Sequence, residues 1–304
     1  MRKTLLVILG PTAVGKTDLC LSVAEELGIP VINADSRQIY KEMVIGTAAP
    51  TQEQQKRVQH FFVGTLSVKD YYSAARYESD ALEVINKQFE TSDTALLSGG
   101  SMLYIDAVCN GIDDIPTVDE ITRQELKRRL NQDGLDTLRK ELRLIDPQTY
   151  ARIDLKNPRR IVHALEIYYC TGKPYSSFLN HSKKTRPFDI VKIGLQRERA
   201  DLFSRINQRV DSMMAQGLPA EAQTLYPMRE LNALQTVGYT ELFHVIDGDW
   251  TEDFAVEKIK RNTRVYAKKQ MTWFAKDNQI EWFHPEEDKL LRQYIQDQLA
   301  SPIS

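Results

Sequence analysis

The chain has 304 residues, which is enough for one large domain or two modest ones with a full hydrophobic core. Its 42% hydrophobic and 27% charged residues are those of an ordinary soluble globular protein. A formal net charge of −2 excludes a basic surplus over the whole molecule, so any binding to nucleic acid must depend on local basic patches.

The cysteines and the apolar segments bear on the cellular compartment. Cys20, Cys109 and Cys170 are scattered, form neither a zinc-binding pattern nor a disulfide framework, and suit a reducing compartment. The N-terminal apolar run reaches only Leu9 before Gly10-Pro11 interrupts it, so we interpret it as a buried strand and not as a signal peptide. No later stretch approaches the length needed to span a bilayer. We therefore predict a cytoplasmic protein that does not interact with membranes.

The first third of the chain alternates between strand and helix patterns. Thr4–Leu9 is a continuous apolar run typical of a central parallel strand, Lys16–Leu27 is an amphipathic helix stopped by Gly28, and residues 29–33 form a second strand. A strand near residues 60–63, a helix over 73–89 and a buried strand over 94–98 follow. This βαβ alternation predicts an α/β fold in which functional loops follow the carboxyl ends of the strands.

From about residue 111 the alternation stops. Charged helical segments are predicted over 119–132, 135–144 and Pro158–Thr171, before the strand Asp189–Leu195 resumes the sheet. The remainder is mainly helical to about Asp277, with a last strand over Ile280–Phe283. We therefore predict a first part of the core over 1–112, a helical insertion that is a candidate mobile lid over 113–187, and core completion with C-terminal helices over 188–304.

One motif carries specific chemistry. Gly10-Pro11-Thr12-Ala13-Val14-Gly15-Lys16-Thr17 matches the P-loop pattern G-x-x-x-x-G-K-[ST] at every position, directly after a buried strand and at the start of a helix. Backbone N–H groups and the helix N-terminus favour phosphate there, Lys16 supplies a point charge, and the Thr17 hydroxyl is a candidate Mg²⁺ ligand. The motif predicts a phosphate site on a P-loop NTPase-like parallel sheet, without deciding which phosphate compound binds.

The two common nucleoside triphosphatase patterns are incomplete. A GTPase needs N-K-x-D, and the approximation at residues 86–89 has Phe89 in place of the acid. An ATPase strand ends in an acid, whereas the strand over 94–98 runs into Gly99-Gly100. The acid that follows a strand here is Asp35, which could bind metal or accept a proton. The nucleoside triphosphatase interpretation is weakened but stays open.

Several sequence blocks resemble one known family. Asp35-Ser36-Arg37-Gln38-Ile39-Tyr40, followed by Ile45-Gly46-Thr47-Ala48, looks like the tRNA dimethylallyltransferase family, also called tRNA isopentenyltransferases. Matching blocks continue in family order over nearly the whole chain, at residues 72–75, 99–104, 157–160, 205–209, 237–239 and 267–274. The sequence departs from the family at Ala49, where Lys is usual, at Ser101, where Thr is usual, and in the stretch 59–63.

The resemblance implies a reaction and roles for particular residues. The reaction is transfer of a dimethylallyl group from dimethylallyl diphosphate to N6 of the adenosine immediately 3′ of the anticodon, in tRNAs reading codons that start with U, with release of pyrophosphate. Mg²⁺ is the implied cofactor. Asp35 would remove the N6 proton, Arg209 would contact the diphosphate together with the P-loop, and Thr17 would be a third catalytic residue.

The resemblance also implies contacts with the tRNA anticodon stem-loop. The adenosine must leave the loop stack to be alkylated, so base flipping is expected. The implied contacts are Asp35, Ser36, Arg37, Gln38, Ser101, Arg123, Arg159, Arg160, Ile161, Val162, His163, Gln235, Thr236, Val237, Gly238, Tyr239 and Thr240. Basic clusters at 123–129, 156–160, 183–186 and 258–269 are further candidates for phosphate contacts, although a solvated face is the ordinary explanation of each.

Arg205 and Arg209 lie four residues apart and so share one face of a predicted helix. A solvated surface pair is the ordinary explanation, and the resemblance changes that only for Arg209.

Three rival functions stay open. The first is a prenyltransferase that acts on a free adenine nucleotide, as an adenylate isopentenyltransferase does. The second is a P-loop kinase of small molecules, and the third is a nucleotide-switched RNA-binding protein. The helical insertion and the long C-terminal helical region favour a macromolecular acceptor over a free nucleotide. We expect a monomer.

Overall fold

A parallel sheet organises the molecule. The computed structural model describes residues 3–179 and 183–300. Within them six strands pair in the order β3-β2-β4-β1-β5-β6, all parallel. The strands are β1 Thr4–Leu9, β2 Val31–Ala34, β3 His60–Phe61, β4 Thr94–Gly99, β5 Asp189–Leu195 and β6 Ile280–Phe283.

Besides three short 3₁₀ helices, the described residues contain α-helices that connect the strands. They are α1 Lys16–Leu27, α2 Gln52–Arg57, α3 Ala74–Gln88, α4 Met102–Asn110, α5 Glu120–Ile145, α6 Pro147–Arg152, α7 Pro158–Thr171, α8 Arg199–Ala215, α9 Leu218–Leu225, α10 Tyr239–Ile246, α11 Glu252–Phe274 and α12 Asp288–Ala300. No helix within the described ranges is both long enough and apolar enough to cross a membrane. Cys20, Cys109 and Cys170 are all free thiols.

The central strand β1 is buried on both sides because helices cover both faces of the sheet. Leu6 and Ile8 pack into one hydrophobic cluster with α1, while Leu5, Val7 and Leu9 pack into the opposite cluster with α3 and α4. The register aligns the strand ends, since Leu9 pairs with Gly99 of β4 and with Gly194 of β5. The loops that follow β1, β2 and β4 therefore emerge side by side at one edge of the sheet.

The chain divides into two compact units, one formed by Met1–Asn110 with Thr185–Ser304 and the other by Gly111–Lys184. The second unit is helical and has its own small core, built around Leu138, Leu142 and Leu165. Gly134 adopts φ 78° and ψ 164° and interrupts α5, which explains the two separate helices predicted over 119–132 and 135–144. Residues 180–182, inside the insertion predicted over 113–187, lie outside the described residues.

The C-terminal helix α12 was not predicted. Its residues Leu291 and Ile295 are buried and pack in the cluster that contains α1. Arg292 donates to Ser22 Oγ at 2.6 Å and pairs with Glu26, both on α1. These contacts join segments that are far apart in the sequence, which explains why a short, highly charged segment gave no clear prediction.

Candidate active site

The P-loop Gly10–Thr17 connects β1 to α1 and is held by hydrogen bonds between its own residues. Gly10, Ala13 and Gly15 adopt φ values of 149°, 65° and 114°, the left-handed region in which glycine is favoured. The Lys16 ammonium donates to the carbonyl oxygens of Gly10 at 2.9 Å and Pro11 at 2.8 Å. A side chain at Gly10 would lie 2.7 Å from the carbonyl oxygen of Leu195 in β5, so only glycine fits there.

Partly buried positive charge surrounds this loop. Burial, together with the neighbouring Arg209 guanidinium, lowers the pKa of Lys16 to about 8, and the Asp35 carboxylate opposes this shift. Burial also lowers the pKa of Arg209, again opposed by Asp35. Neither cation forms a salt bridge with a carboxylate in the described part of the chain. An anionic ligand would relieve this accumulation of charge.

Helix α8 brings its arginines against the P-loop. Arg209 donates from Nη1 to Thr12 Oγ1 at 3.3 Å and from Nη2 to the carbonyl oxygen of Thr47 at 3.4 Å. Arg205, one turn earlier, donates from Nε to the carbonyl oxygen of Ala13 at 3.0 Å. Both side chains are therefore half-buried at the site. The prediction that Arg205 lies on a solvated face is wrong.

Asp35 follows β2 and is held by its own loop. Its Oδ1 accepts hydrogen bonds from the backbone N–H groups of Arg37 at 2.8 Å and Gln38 at 3.2 Å. Gln38 in turn donates from Nε2 to the carbonyl oxygens of Thr47 and Ala48, both at 3.0 Å. The carboxyl group is therefore oriented by short-range contacts and does not depend on an ion pair for its position.

Ser101 joins the loop after β4 to the loop after β2. Its Oγ accepts from the backbone N–H of Ser36 at 2.8 Å and donates to Ser36 Oγ at 3.1 Å. The Ser101 hydroxyl therefore joins these two loops at the edge of the sheet.

Gln270 of α11 is a site residue that we did not predict. Its buried side chain accepts from the backbone N–H of Thr12 at 2.9 Å and donates to the carbonyl oxygen of Gly100 at 2.8 Å. One amide thus holds the P-loop and the loop after β4 together. Gln270 lies in the block 267–274, so the resemblance contained the position, but nothing local in the sequence indicated its partners.

Two cavities meet at these residues. The polar cavity, about 430 Å³, is lined by the P-loop residues Thr12, Ala13, Gly15, Lys16 and Thr17 and by Asp35, Gln38, Arg205 and Arg209, among others. The apolar cavity, about 260 Å³, includes Ile206, Val210, Met213, Leu218, Val237 and Ile259 in its lining. Both are lined by Thr12, Asp35, Thr47, Arg209 and Tyr266. Asp35 and Arg209 therefore stand where an anion site adjoins an apolar site.

The sequence also matches a known family. A family model described as IPP transferase matches residues 38–277, which is well over half of the chain. The chain belongs to the IPP transferase family. It is 57% identical over 294 residues to tRNA dimethylallyltransferase 1 of Bacteroides fragilis, covering 97% of this chain and 98% of that protein.

Solved structures of IPP transferases have the same fold. The tRNA isopentenylpyrophosphate transferase of Bacillus halodurans is 36% identical, with a TM-score of 0.70 over 98% of this chain and 97% of that one. A eukaryotic dimethylallyltransferase acting on tRNA is 27% identical, with a TM-score of 0.74 over 90% of this chain and 70% of that one. The family resemblance and the P-loop NTPase-like α/β fold are thus confirmed.

In this IPP transferase the predicted tRNA contacts of the larger unit lie near the apolar cavity. Ser36, Arg37, Thr236, Val237 and Gly238 line it together with Asp35. Gln235 and Thr240 flank this segment: Gln235 donates to the carbonyl oxygen of Arg229 at 2.7 Å, and Thr240 donates to that of Thr236 at 3.1 Å.

Two of the predicted tRNA contacts of this IPP transferase have fully buried side chains. Tyr239 is fully buried, and its hydroxyl donates to Glu221 Oε1 at 2.6 Å, so its side chain is not on the surface. Ile161, in the helical unit, is also fully buried and packs in that unit's core. Both side chains contribute to hydrophobic packing.

The other predicted contacts of the helical unit lie at the beginning of α7 and on α5. Arg159 and Arg160 are exposed, Val162 is partly buried, and His163 is 3.4 Å from Glu166 through Nδ1. Arg123 lies in the first turns of α5 and is partly buried.

Ion pairs occupy several residues of the predicted basic clusters. Lys260 pairs with Asp211 at 2.8 Å and with Glu257 at 3.4 Å, and Arg264 donates to Asn207, so the stripe that also contains Lys268 packs against α8. Arg186 is buried and pairs with Glu78 at 2.7 Å. These side chains stabilise the fold of the larger unit.

Proposed function

We propose that this IPP transferase moves a dimethylallyl group from dimethylallyl diphosphate to N6 of the adenosine immediately 3′ of the anticodon, in tRNAs that read codons starting with U. The observation that carries the proposal is the position of Asp35 and Arg209 on both cavities. The names of the relatives support the choice of prenyl group and of tRNA.

The polar cavity suits the diphosphate. The P-loop residues, the α1 N-terminus, Lys16 and Arg209 are the groups that would stabilise a diphosphate as it departs and gains charge. The lowered pKa of Lys16 indicates that the charged form is held at a cost in the free protein, which a bound diphosphate offsets.

The apolar cavity suits a flipped base. The predicted tRNA contacts Ser36, Arg37 and 236–238 line it, and aliphatic side chains offer the faces on which a purine packs. N6 of a base held there would approach the residues shared with the polar cavity. The bond from the allylic C1 to the diphosphate oxygen breaks, the bond from N6 to C1 forms, and the electron pair leaves with the diphosphate.

Asp35 is proposed as the base of this step. Adenine N6 is a weak nucleophile because its lone pair is delocalised into the ring, so its proton must leave as the nitrogen attacks. Oδ1 of Asp35 is engaged with Arg37 and Gln38 N–H groups, and the carboxylate lines both cavities. The proton passes from N6 to this carboxylate.

The residues present fit a magnesium ion. Thr17 is exposed at the beginning of α1 and lines the polar cavity, and a hydroxyl beside phosphate oxygens is a typical Mg²⁺ environment. Thr17 Oγ1 and diphosphate oxygens would hold the ion. When bound, Mg²⁺ offsets the charge that develops on the departing diphosphate.

We further propose that the protein is a cytoplasmic monomer. The tRNA substrate is found in the cytoplasm, and the three free thiols suit a reducing compartment.

The test is transfer of label from radiolabelled dimethylallyl diphosphate, with Mg²⁺, to an unmodified anticodon stem-loop. Wild type, Asp35→Asn and the exposed control Asp253→Asn are compared, with AMP as an alternative acceptor and ATP as the only phosphate donor in a third arm. Label on the stem-loop that is lost in Asp35→Asn, while diphosphate still binds, supports the proposal. Label on AMP alone would establish the free-nucleotide enzyme, and ATP turnover without transfer would establish the kinase.

A further inference from the structure

The Arg205 side chain has hydrogen-bond donors that are available to a ligand. A guanidinium carries five N–H donors, and the single one on Nε is used by the carbonyl oxygen of Ala13 at 3.0 Å. The four donors on Nη1 and Nη2 have no hydrogen-bond partner among residues 3–179 and 183–300. Arg205 also lines the polar cavity. The bond to Ala13 fixes the plane of the guanidinium, so its outer edge is oriented before any ligand arrives.

Arg197 provides a comparison within the same chain. It donates from Nε to the carbonyl oxygen of Val14 at 2.9 Å, so it holds the next P-loop residue in the same way. Its Nη1, however, pairs with Asp201 at 2.9 Å and Glu286 at 3.7 Å, and it is not among the residues that line the polar cavity. Carboxylates neutralise Arg197, whereas Arg205 forms no such pair within the described ranges.

The charges that line the polar cavity indicate why Arg205, unlike Arg197, has no carboxylate partner among the described residues. Lys16, Arg205 and Arg209 contribute three cations to its lining, while Asp18 and Asp35 are the carboxylates in it. Asp35 opposes the shifts that burial imposes on Lys16 and Arg209, yet their pKa values remain lowered. A guanidinium that is partly buried beside two other cations, without a carboxylate partner, is stabilised by a polyanion in the cavity.

We propose that Arg205 binds the diphosphate of the allylic substrate directly, through Nη1 and Nη2. It would do so beside Arg209, which lies one turn further along α8 and also contacts the P-loop. This inference rests on the proposed function, because it names a further ligand of the same diphosphate. Two planar guanidinium groups one helical turn apart bind adjacent phosphate oxygens and remain bound to the diphosphate after the C–O bond breaks. Arg205 therefore acts on substrate affinity and on stabilisation of the leaving group.

The experiment separates this role from simple support of the P-loop. In Arg205→Gln, the amide nitrogen takes the position of Nε and keeps a donor for Ala13, while the charge and both Nη groups are lost. Arg197→Gln makes the same change at Val14. Calorimetry measures binding of inorganic diphosphate with Mg²⁺, and steady-state assays measure KM for dimethylallyl diphosphate and kcat with the stem-loop acceptor. Melting temperatures verify that both variants are folded.

Arg205→Gln should weaken diphosphate binding by about tenfold or more, the usual effect of losing hydrogen bonds between charged groups. It should also raise KM and lower kcat, while Arg197→Gln stays within about threefold of wild type in diphosphate affinity. Arg205→Lys, which restores the charge, should recover part of the loss. If Arg205→Gln is poorly folded, Arg205→Ala with added guanidinium ion provides a second measurement, and recovery of transfer by guanidinium supports the proposal.

Three results would overturn the inference. The first is that Arg205→Gln binds diphosphate as tightly as wild type, and the second is that Arg197→Gln loses as much diphosphate affinity as Arg205→Gln. The third is that Arg205→Gln binds the stem-loop more weakly but diphosphate normally, which would make Arg205 an RNA contact. Diphosphate binding does not require prenyl transfer, so the two proposals fail separately. A wild-type protein that transfers no prenyl group refutes the function, whereas an active wild type with an unaffected Arg205→Gln refutes only the role of Arg205.

Discussion

Glu221→Gln tests whether a single carboxylate holds the loop that carries Thr47. Glu221 Oε2 accepts from the backbone N–H groups of Val44 at 3.0 Å and Ile45 at 2.8 Å. Its Oε1 accepts from the N–H of Gly46 at 2.9 Å and from the Tyr239 hydroxyl at 2.6 Å. A carboxylate satisfies all four donors, and an amide of the same shape has only one oxygen to offer.

The size of the effect follows from this count. In Glu221→Gln two of the four donors must face an NH₂ group, so two hydrogen bonds to a charged acceptor are lost. Each such bond contributes roughly 1.5–3 kcal/mol, and because the Val44 contact is exposed we expect a total loss of ~3 kcal/mol in the free energy of unfolding. For a folded unit of this size that corresponds to a melting temperature lower by ~6–12 °C.

The assay is thermal unfolding, followed by diphosphate binding on the folded variant. The carbonyl oxygen of Thr47 accepts from Arg209, so a displaced loop should also weaken diphosphate binding. Glu83→Gln, on the exposed face of α3, is the matched control and should melt within a degree or two of wild type. A Glu221→Gln variant that melts and binds like this control would refute the reasoning.

Three further changes test other contacts. Glu78→Gln should destabilise the protein by about 3 kcal/mol, because it removes the negative charge that compensates the Arg186 guanidinium at 2.7 Å while an amide oxygen remains as acceptor. Urea unfolding measures this loss, and a value below about 1 kcal/mol would contradict the prediction. Gly99→Ala should lower both melting temperature and prenyl transfer, since the new methyl carbon would lie 2.1 Å from the carbonyl oxygen of Ala34, next to Asp35; normal activity would show that β2 and β4 separate easily. Gln270→Glu keeps an acceptor for Thr12 but places an oxygen against the carbonyl oxygen of Gly100, so diphosphate affinity should fall by about tenfold, whereas an unchanged dissociation constant would remove Gln270 from the site.

Local sequence patterns were sufficient for much of the fold. The bounds of β1, α1, α7, β5 and β6 agree with the structure residue by residue. Apolar runs and helical periodicity are short-range properties, and glycine at a left-handed helix end marks where a helix stops, as at Gly28 and Gly172. The P-loop belongs with these features because its glycines, lysine and threonine are contiguous.

Such local patterns did not predict the order of the strands in the sheet. β4 lies between β1 and β2, so the P-loop and the Asp35 loop are both adjacent to the loop that carries Gly100 and Ser101. Strand order depends on which helices cover which face of the sheet, and this is a property of the whole core and not of any segment.

By itself the sequence determined the phosphate loop, the acid that follows β2 and, through resemblance, the family. Only the tertiary structure decided which side chains complete the site: Gln270 meets Thr12 across 258 residues of chain, and Glu221 meets the loop at 44–46 across more than 170. It also decided that Arg197 is neutralised while Arg205 is not. A helical pattern specifies the face on which an arginine lies, but packing decides whether a carboxylate, a backbone carbonyl or a ligand will meet it there.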